Sequence, residues 1–410
     1  MSKNRRYFIK KSAALAALSL AGLNAASAAP PTASSIPPAG SAAPPAPGAS
    51  GKAPGSNGID TATGRSGQKV HWPLYESDKT PKIVVNCPLN ADEAAIRRWR
   101  QIGVGHINAG IIPGPWKENE LRPAMDRLKE KELQVINIMH PVSINTILGR
   151  EGRDADIAVF QESLRVAGAC GLPTVEYNFY VDRLIEGYYE EVGRGGSGIT
   201  AFDNSKVSNL PAKPDIGIHR GEEIWANLSY FLRAVIPVAE KAGVRMALHP
   251  NDPVAQISHG SDQIMANLAG WKRLITIVDS PANGITFDCG VTREMGEDPV
   301  EVCQYFASRD RINHMHYRNV ISDIPYEKYH EVFIDEGQVN LFAVMQELYR
   351  HGYNRGLYPE HPHILDYDRD RPGGSNLSGG VAGGGGGGGY TAQAFNVAFA
   401  RAMMWAVMSL

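Results

Sequence analysis

From about residue 80 onward, short apolar runs alternate with longer stretches in which apolar residues recur every three or four positions. The short runs, at 82–86, 104–108, 134–139, 174–178, 245–249, 284–289, 312–316 and 356–360, are rich in β-branched residues and read as strands. The periodic stretches at 92–102, 120–131, 156–169 and 222–242 read as helices; in the first, Ile96 and Trp99 are spaced for one face. Eight strands separated by helices predict a parallel sheet, and eight is the number that closes. The expected fold is therefore a (β/α)8 TIM barrel spanning residues 80–410. An open doubly wound sheet would carry a glycine-rich phosphate turn after its first strand. The chain has Asn86-Cys-Pro-Leu-Asn90 at that place instead.

Two segments interrupt the alternation. Residues 187–217, which include Gly193-Arg-Gly-Gly-Ser-Gly198, follow the fourth strand and so fall on the face where such barrels build their sites. They are expected to form either a substrate lid or a surface insertion without fixed structure. Residues 369–389 end in seven consecutive glycines, a run too permissive to hold a shape of its own, and a helical pattern resumes at 390–408.

The N-terminal part follows different rules. A paired arginine in Asn4-Arg5-Arg6-Tyr7-Phe8-Ile9-Lys10, an apolar stretch from Ala13 to Leu23 and the small-residue triplet Ala26-Ser27-Ala28 predict that residues 1–28 are a twin-arginine export signal, cleaved on delivery to the periplasm. The apolar stretch is short for a membrane span, so no stable span is expected after cleavage. Residues 29–70 are rich in Pro, Ala, Ser and Gly and hold too few large apolar residues to offset chain entropy, as in a disordered linker.

Composition narrows the partners. With 410 residues, 43% hydrophobic and 20% charged, and a net charge of -2, the chain has no electrostatic case for binding nucleic acid. Cys87, Cys170, Cys289 and Cys303 show no CxxC spacing and fall in predicted interior elements, so no structural disulfide is expected. Apolar positions on the barrel helices are compatible with a homo-oligomer, but no heptad or repeat sets its size.

The chemistry concentrates at four consecutive strand ends, which carry His249, Cys289, His316 and Glu360. Thiolate and imidazole suit zinc, iron or manganese better than magnesium or calcium, and the carboxylate tolerates manganese and nickel, so the set predicts a divalent transition metal. Further polar residues share that face. Arg318 suits a substrate carboxylate because its planar fork binds both oxygens, and His361 suits proton transfer near neutral pH. Asp252 and Asn319 are either substrate contacts or turn caps. On the fourth strand Glu176, Tyr177 and Asn178 alternate in direction, so one neighbour of Tyr177 reaches the substrate while Tyr177 packs the other way, or the reverse. A metal, a guanidinium and a proton-transfer group favour chemistry beside a carboxylate or carbonyl: loss of a β-hydroxyl as water, or return of the proton elsewhere.

His249-Pro-Asn-Asp-Pro253, Ile285-Thr-Phe-Asp-Cys-Gly290, His316-Tyr-Arg-Asn319 and Pro359-Glu-His361 resemble the metal-site motifs of the mannonate dehydratase family, one of the xylose-isomerase-like barrels. Tyr177-Asn-Phe179 and the Gly389-Tyr390 step add to the likeness, which runs from about residue 83 to the C-terminus. The resemblance implies a barrel that binds manganese or a similar ion and dehydrates D-mannonate to 2-keto-3-deoxy-D-gluconate. It implies His249, Cys289, His316 and Glu360 as ligands, His361 and Tyr390 as acid or base, and Arg318 as binding the acid group; with the reading of the residues, the candidate catalytic set is His361, Tyr390 and Arg318 and the candidate substrate contacts are Asn178, Arg318, Asn319 and Asp252. The chain departs from the family pattern at Glu360, where the family has aspartate, at Pro362, where it has glycine, and at Ser143, near which it tends to have histidine. The competing expectations are a sugar isomerase or epimerase, with Glu176 as a further metal carboxylate, and a non-catalytic barrel that holds carbohydrate.

Overall fold

The alternation of short and periodic runs resolves into a closed ring of strands in the computed structural model, which describes residues 73–370 and 387–410. The export signal and linker expected at 1–28 and 29–70, and most of the glycine-rich segment, lie outside those residues. In chain order the strands are β1 (Lys82–Asn86), β2 (His106–Ile111), β3 (Gln134–Met139), β4 (Thr174–Tyr177), β5 (Tyr188–Val192), β6 (Gly198–Asp203), β7 (Arg245–Leu248), β8 (Ile257–Ser258), β9 (Ser261–Asp262), β10 (Asn283–Asp288), β11 (Ile312–His316), β12 (Asn319–Ile324), β13 (Lys328–Val332) and β14 (Gly356–Tyr358). Strands β1, β2, β3, β4, β7, β10, β11 and β14 pair in parallel in that order, and β14 returns to β1. This is the expected (β/α)8 barrel.

The helices are α1 (Glu93–Gln101), α2 (Glu118–Glu130), α3 (Ile144–Leu148), α4 (Arg153–Cys170), α5 (Gly221–Ala242), α6 (Leu268–Ile277), α7 (Cys289–Glu294), α8 (Pro299–Ala307), α9 (Leu341–Arg350), α10 (Asp366–Arg369) and α11 (Tyr390–Met408). Their ends follow local chemistry. Asp92 caps α1 by accepting from the Ala95 amide, and α4 and α5 stop at Gly171 and Gly243, whose φ of 75° and 68° are left-handed values that glycine adopts without strain. Helix α11 packs against α9 and β1 and so completes the helical layer where the chain began.

Between β4 and that layer, Phe231 of α5 is fully buried against Phe160 of α4, with ring centroids 5.0 Å apart, and against Tyr177 and Phe179, each at 5.8 Å. This aromatic cluster takes Tyr177 outward from the barrel. Its neighbour Glu176 must then point inward, which settles the alternation on that strand.

The insertion after β4 is ordered strand rather than structureless surface. Hairpin β5–β6 meets hairpin β12–β13, which follows β11, in a four-stranded antiparallel sheet of order β12-β13-β6-β5. Tyr329 pairs in register with Phe202 and Glu331 with Thr200. Leu184, Tyr188, Phe202, Val207, Ala255 and Tyr329 form a separate small core beneath it. Both hairpins leave from C-terminal ends of barrel strands, so the sheet belongs to the catalytic face. Replacing Phe231 with alanine is expected to cost about 3–5 kcal/mol in equilibrium urea unfolding, because three aromatic partners would face a void; a loss below about 1 kcal/mol would show that the cluster does not carry that packing.

Candidate metal centre and active site

Three side chains at the strand ends converge. The His249 amide continues the parallel ladder by donating to Tyr177 O, which places its imidazole over the mouth of the barrel. Its Nδ1 is 2.8 Å from Pro250 O and takes the hydrogen, so the Nε2 lone pair faces His316 Nδ1 at 3.3 Å. That same His316 Nδ1 is 2.9 Å from Glu360 Oε1 and 3.8 Å from Asp288 Oδ2. The other ring nitrogen of His316 faces inward, 3.5 Å from Glu176 Oε1. Glu176 is in turn held by Asn137 Nδ2 and Thr286 Oγ1, each at 2.8 Å.

The field at this point suits a cation. Burial by itself would lower the His316 imidazole, but Glu360, Glu176 and Asp288 outweigh it and raise the group to about 9. Burial likewise opposes ionisation of Glu360, yet His316 and His361 hold its carboxyl well below the usual carboxylate range. His249, facing His316, is pushed down by burial and by that neighbour's charge. Among the described residues buried Glu360 Oε1 accepts no aligned hydrogen bond, although an imidazole nitrogen lies within ion-pair distance. His249, Asp288 and His316 bring donor atoms within 4.8 Å of one another, with Glu360 Oε1 2.9 Å from His316 Nδ1, and this nitrogen and carboxylate set fits a divalent ion.

Of the four expected ligands, the structure brings His249, His316 and Glu360 together. The fourth, Cys289, is the first residue of α7, directly after the capping Asp288, and its thiol donates to His316 O at 3.4 Å and Arg318 O at 3.2 Å. Burial pushes this thiol up, as does the Asp288 charge. Cys289 therefore lies beside the cluster with its sulfur turned to backbone carbonyls.

Arg318 departs from the expected role. It is 1% exposed, with Nε 3.0 Å from Asp288 Oδ2 and Nη1 2.7 Å from Glu294 Oε1, while Nη2 lies 3.7 Å from Asp252 Oδ2. Gly290 makes room for it: a Cβ there would fall 2.7 Å from the guanidinium. Among the described residues Asp288 and Glu294 engage Nε and Nη1 while Nη2 donates no aligned hydrogen bond, so the guanidinium serves first as counter-ion to the protein's own carboxylates. Asn319 is also committed to the chain. Its Oδ1 accepts from the Val320 and Val339 amides and its Nδ2 reaches Ile334 O and Val339 O, so it ties β12 to the following loop, as the turn-cap alternative expected.

Tyr390 does not reach the site. Its hydroxyl donates to Arg98 O at 2.8 Å and its ring packs on Trp99, because Asp368 captures the Thr391 and Ala392 amides and orients the start of α11 with Tyr390 toward α1. Asp252, in contrast, is part of the site wall. It accepts from Tyr188 OH at 2.5 Å and Tyr329 OH at 3.1 Å and clusters with Glu331 and His361. His361 Nδ1 lies 2.7 Å from Glu331 Oε2 and Nε2 lies 3.6 Å from Glu360 Oε2. Asn178 follows β4 with its Nδ2 near Met139 Sδ and a buried Oδ1 that accepts no hydrogen bond.

Several site residues escaped the sequence reading. His314 was legible, since it is two residues before His316 and shares its face; it sits deeper, against Asn108 at 3.5 Å, and burial lowers it to about 4. Glu331, Tyr188 and Tyr329 carried no such signal. They reach the mouth only because two distant hairpins pair.

A profile of the D-mannonate dehydratase (UxuA) family matches residues 217–383, which hold all of the converging strand ends from β7 to β14. The mannonate dehydratase of Thermotoga petrophila is 30% identical over 324 residues, covering 69% of this chain and 89% of that protein. Mannonate dehydratase 2 of Halalkalibacterium halodurans is 28% identical over 292 residues, covering 64% and 83%. The crystal structure of mannonate dehydratase from Streptococcus suis serotype 2 superposes with a TM-score of 0.69 at 26% identity, over 80% of this chain and 94% of that one. D-Psicose 3-epimerase of Clostridium cellulolyticum, at 11% identity and a TM-score of 0.52 over 79% of this chain and 99% of that one, shares the barrel alone. The identity and near-complete coverage of these relatives, joined to the converging strand ends, show that the chain belongs to the mannonate dehydratase family.

Proposed function

We propose that the protein is a metal-dependent hydro-lyase that converts D-mannonate to 2-keto-3-deoxy-D-gluconate. The observation that carries this reading is the convergence of His249, His316 and Glu360 on one point in a barrel of this family. These three would hold the ion, with Asp288 beside them. Loss of the Cys289 proton would end its two hydrogen bonds to carbonyls and free the sulfur as a further donor. The mixed nitrogen and oxygen donors support manganese, with iron, nickel and zinc as chemically similar alternatives.

When bound, the ion would draw electron density from the substrate carboxylate and adjoining hydroxyl and ease loss of the α proton. The neighbouring hydroxyl leaves with a proton as water, and the enol that remains becomes the ketone. His361 is suited to supply the departing hydroxyl's proton. Burial would lower it, but Glu331 and Glu360 raise it to about 9, so it carries its proton at neutral pH. Asp252, in the same cluster as His361 and braced by two tyrosine hydroxyls and by Arg183 on its backbone oxygen, is the fixed carboxylate suited to accept the α proton.

Glu176 argues against the isomerase alternative. Both of its oxygens are engaged by Asn137 and Thr286, and it faces the ring nitrogen of His316 opposite to the one that meets His249 and Glu360. On that side it forms, with His314 and His316, a separate group of possible donors behind the cluster of His249, His316 and Asp288.

The paired-arginine segment and the Ala26-Ser27-Ala28 triplet support delivery of the folded enzyme to the periplasm. Among the described residues no helix is long and apolar enough to cross a membrane.

Metal-replete protein should form a 2-keto-3-deoxy acid from D-mannonate, and a panel of aldonates, uronates and ketoses checks the assignment; sugar interconversion without keto-deoxy acid would favour the isomerase. Because His316 holds a proton that an ion must displace, apparent metal affinity should rise about tenfold per pH unit between about pH 6 and 8 by calorimetric titration. The same titration on Cys289→Ser should show affinity reduced about tenfold or more; unchanged metal content would remove the thiol from the site. Fractionation of cells expressing the full chain should recover a shortened protein in the periplasm, and full-length protein confined to the cytoplasm would refute export.

A further inference from the structure

We infer that Glu331 is a positioning residue for the reaction: it holds the His361 imidazole so that Nε2 is the atom presented to substrate. The inference rests on the dehydratase reading, in which His361 transfers the proton.

Glu331 does not come from a barrel strand. It lies on β13, where Tyr329 and Glu331 are both buried while Lys328 and His330 between and beside them are partly open. His330 faces outward to Glu191 and Asp323, at 3.0 and 2.7 Å. Tyr329 and Glu331 face the mouth, one toward Asp252 and the other toward His361. The sheet thus has an outer polar face and an inner face that completes the site.

The surroundings of Glu331 point to a task beyond fold stability. The residue is 1% exposed, so removing its charge from water is costly. A carboxylate kept for architecture would cap a helix or bind backbone amides, as Asp288 does for α7. No other described group engages either oxygen of Glu331 or the Nδ1 of His361, and the two stand 2.7 Å apart as an ion pair. His361 itself has a φ of 49°, a left-handed value uncommon for a residue with a side chain, directly after Glu360. Backbone and carboxylate together fix the ring with Nδ1 toward β13 and Nε2 3.6 Å from Glu360 Oε2, on the side of the metal cluster. Orientation of an imidazole by a carboxylate on its far nitrogen is a general device for setting which atom works.

The experiment compares Glu331→Gln and Glu331→Asp with the parent enzyme. Glu331→Gln keeps the size of the side chain but loses the charge, and kcat for D-mannonate should fall about 10- to 100-fold with KM and bound metal little changed. Glu331→Asp, which keeps the charge on a shorter arm, should recover part of that loss. Independently of turnover, nuclear magnetic resonance of the protein loaded with diamagnetic Zn2+ should show a strongly downfield His361 Nδ1 proton in the parent, absent in Glu331→Gln and assigned by its loss in His361→Asn. Parental kcat in Glu331→Gln, a loss explained by lower metal content, or an unchanged imidazole signal would each overturn the inference. A parent that shows the signal but no turnover would support the pairing and sink the dehydratase reading alone.

Discussion

The guanidinium of Arg318 holds Asp252, Asp288, Glu294 and Glu360 together in a place that water barely reaches. Like charges at such spacing would repel strongly at low dielectric, and each would tend to take up a proton. One fixed cation in their midst, admitted by the missing side chain of Gly290, lets them stand within a few ångströms of a metal centre. The field that this leaves over is still negative enough to raise His316 and His361, and it is the field a divalent ion would meet. Arg318 thus sets how much negative charge the mouth can carry.

The site is assembled from two kinds of element with different rigidity. Barrel strands β4, β7, β11 and β14 deliver Glu176, His249, His316 and Glu360 at spacings fixed by parallel pairing, and second partners such as Pro250 O, Asn137 and Thr286 lock their orientations. The sheet made from the two excursion hairpins delivers Tyr188, Tyr329 and Glu331 from above. A candidate donor set built on strands and a polar wall built on an insertion can change independently, which suits a barrel group that shares a fold across different reactions.

Glu360 shows the same division within one side chain. Its Oε1 meets His316 while its Oε2 faces His361, so the longer arm that separates this chain from the family's aspartate spans the metal cluster and the proton-transfer group.

Strand positions, the closed barrel and three converging side chains were legible in the sequence because they follow from local properties: alternation with period two, helical periodicity, and chemistry at the residue where an apolar run ends. His314 obeyed the same rule and could have been read by it. Direction beyond the strand end was not legible. Arg318 had the right chemistry for a substrate carboxylate but is surrounded by the chain's own acids, Tyr390 follows a motif but is turned to α1 by Asp368, and Cys289 faces carbonyls that its neighbours in sequence do not reveal. Glu331 reaches His361 through pairing of hairpins more than a hundred residues apart. By itself the sequence determined which residue types stand at the mouth, since each is set by its own few neighbours along the chain. Which atoms meet there was decided by tertiary structure, because burial, ion pairing and strand partnership depend on groups that approach only when the ring has closed.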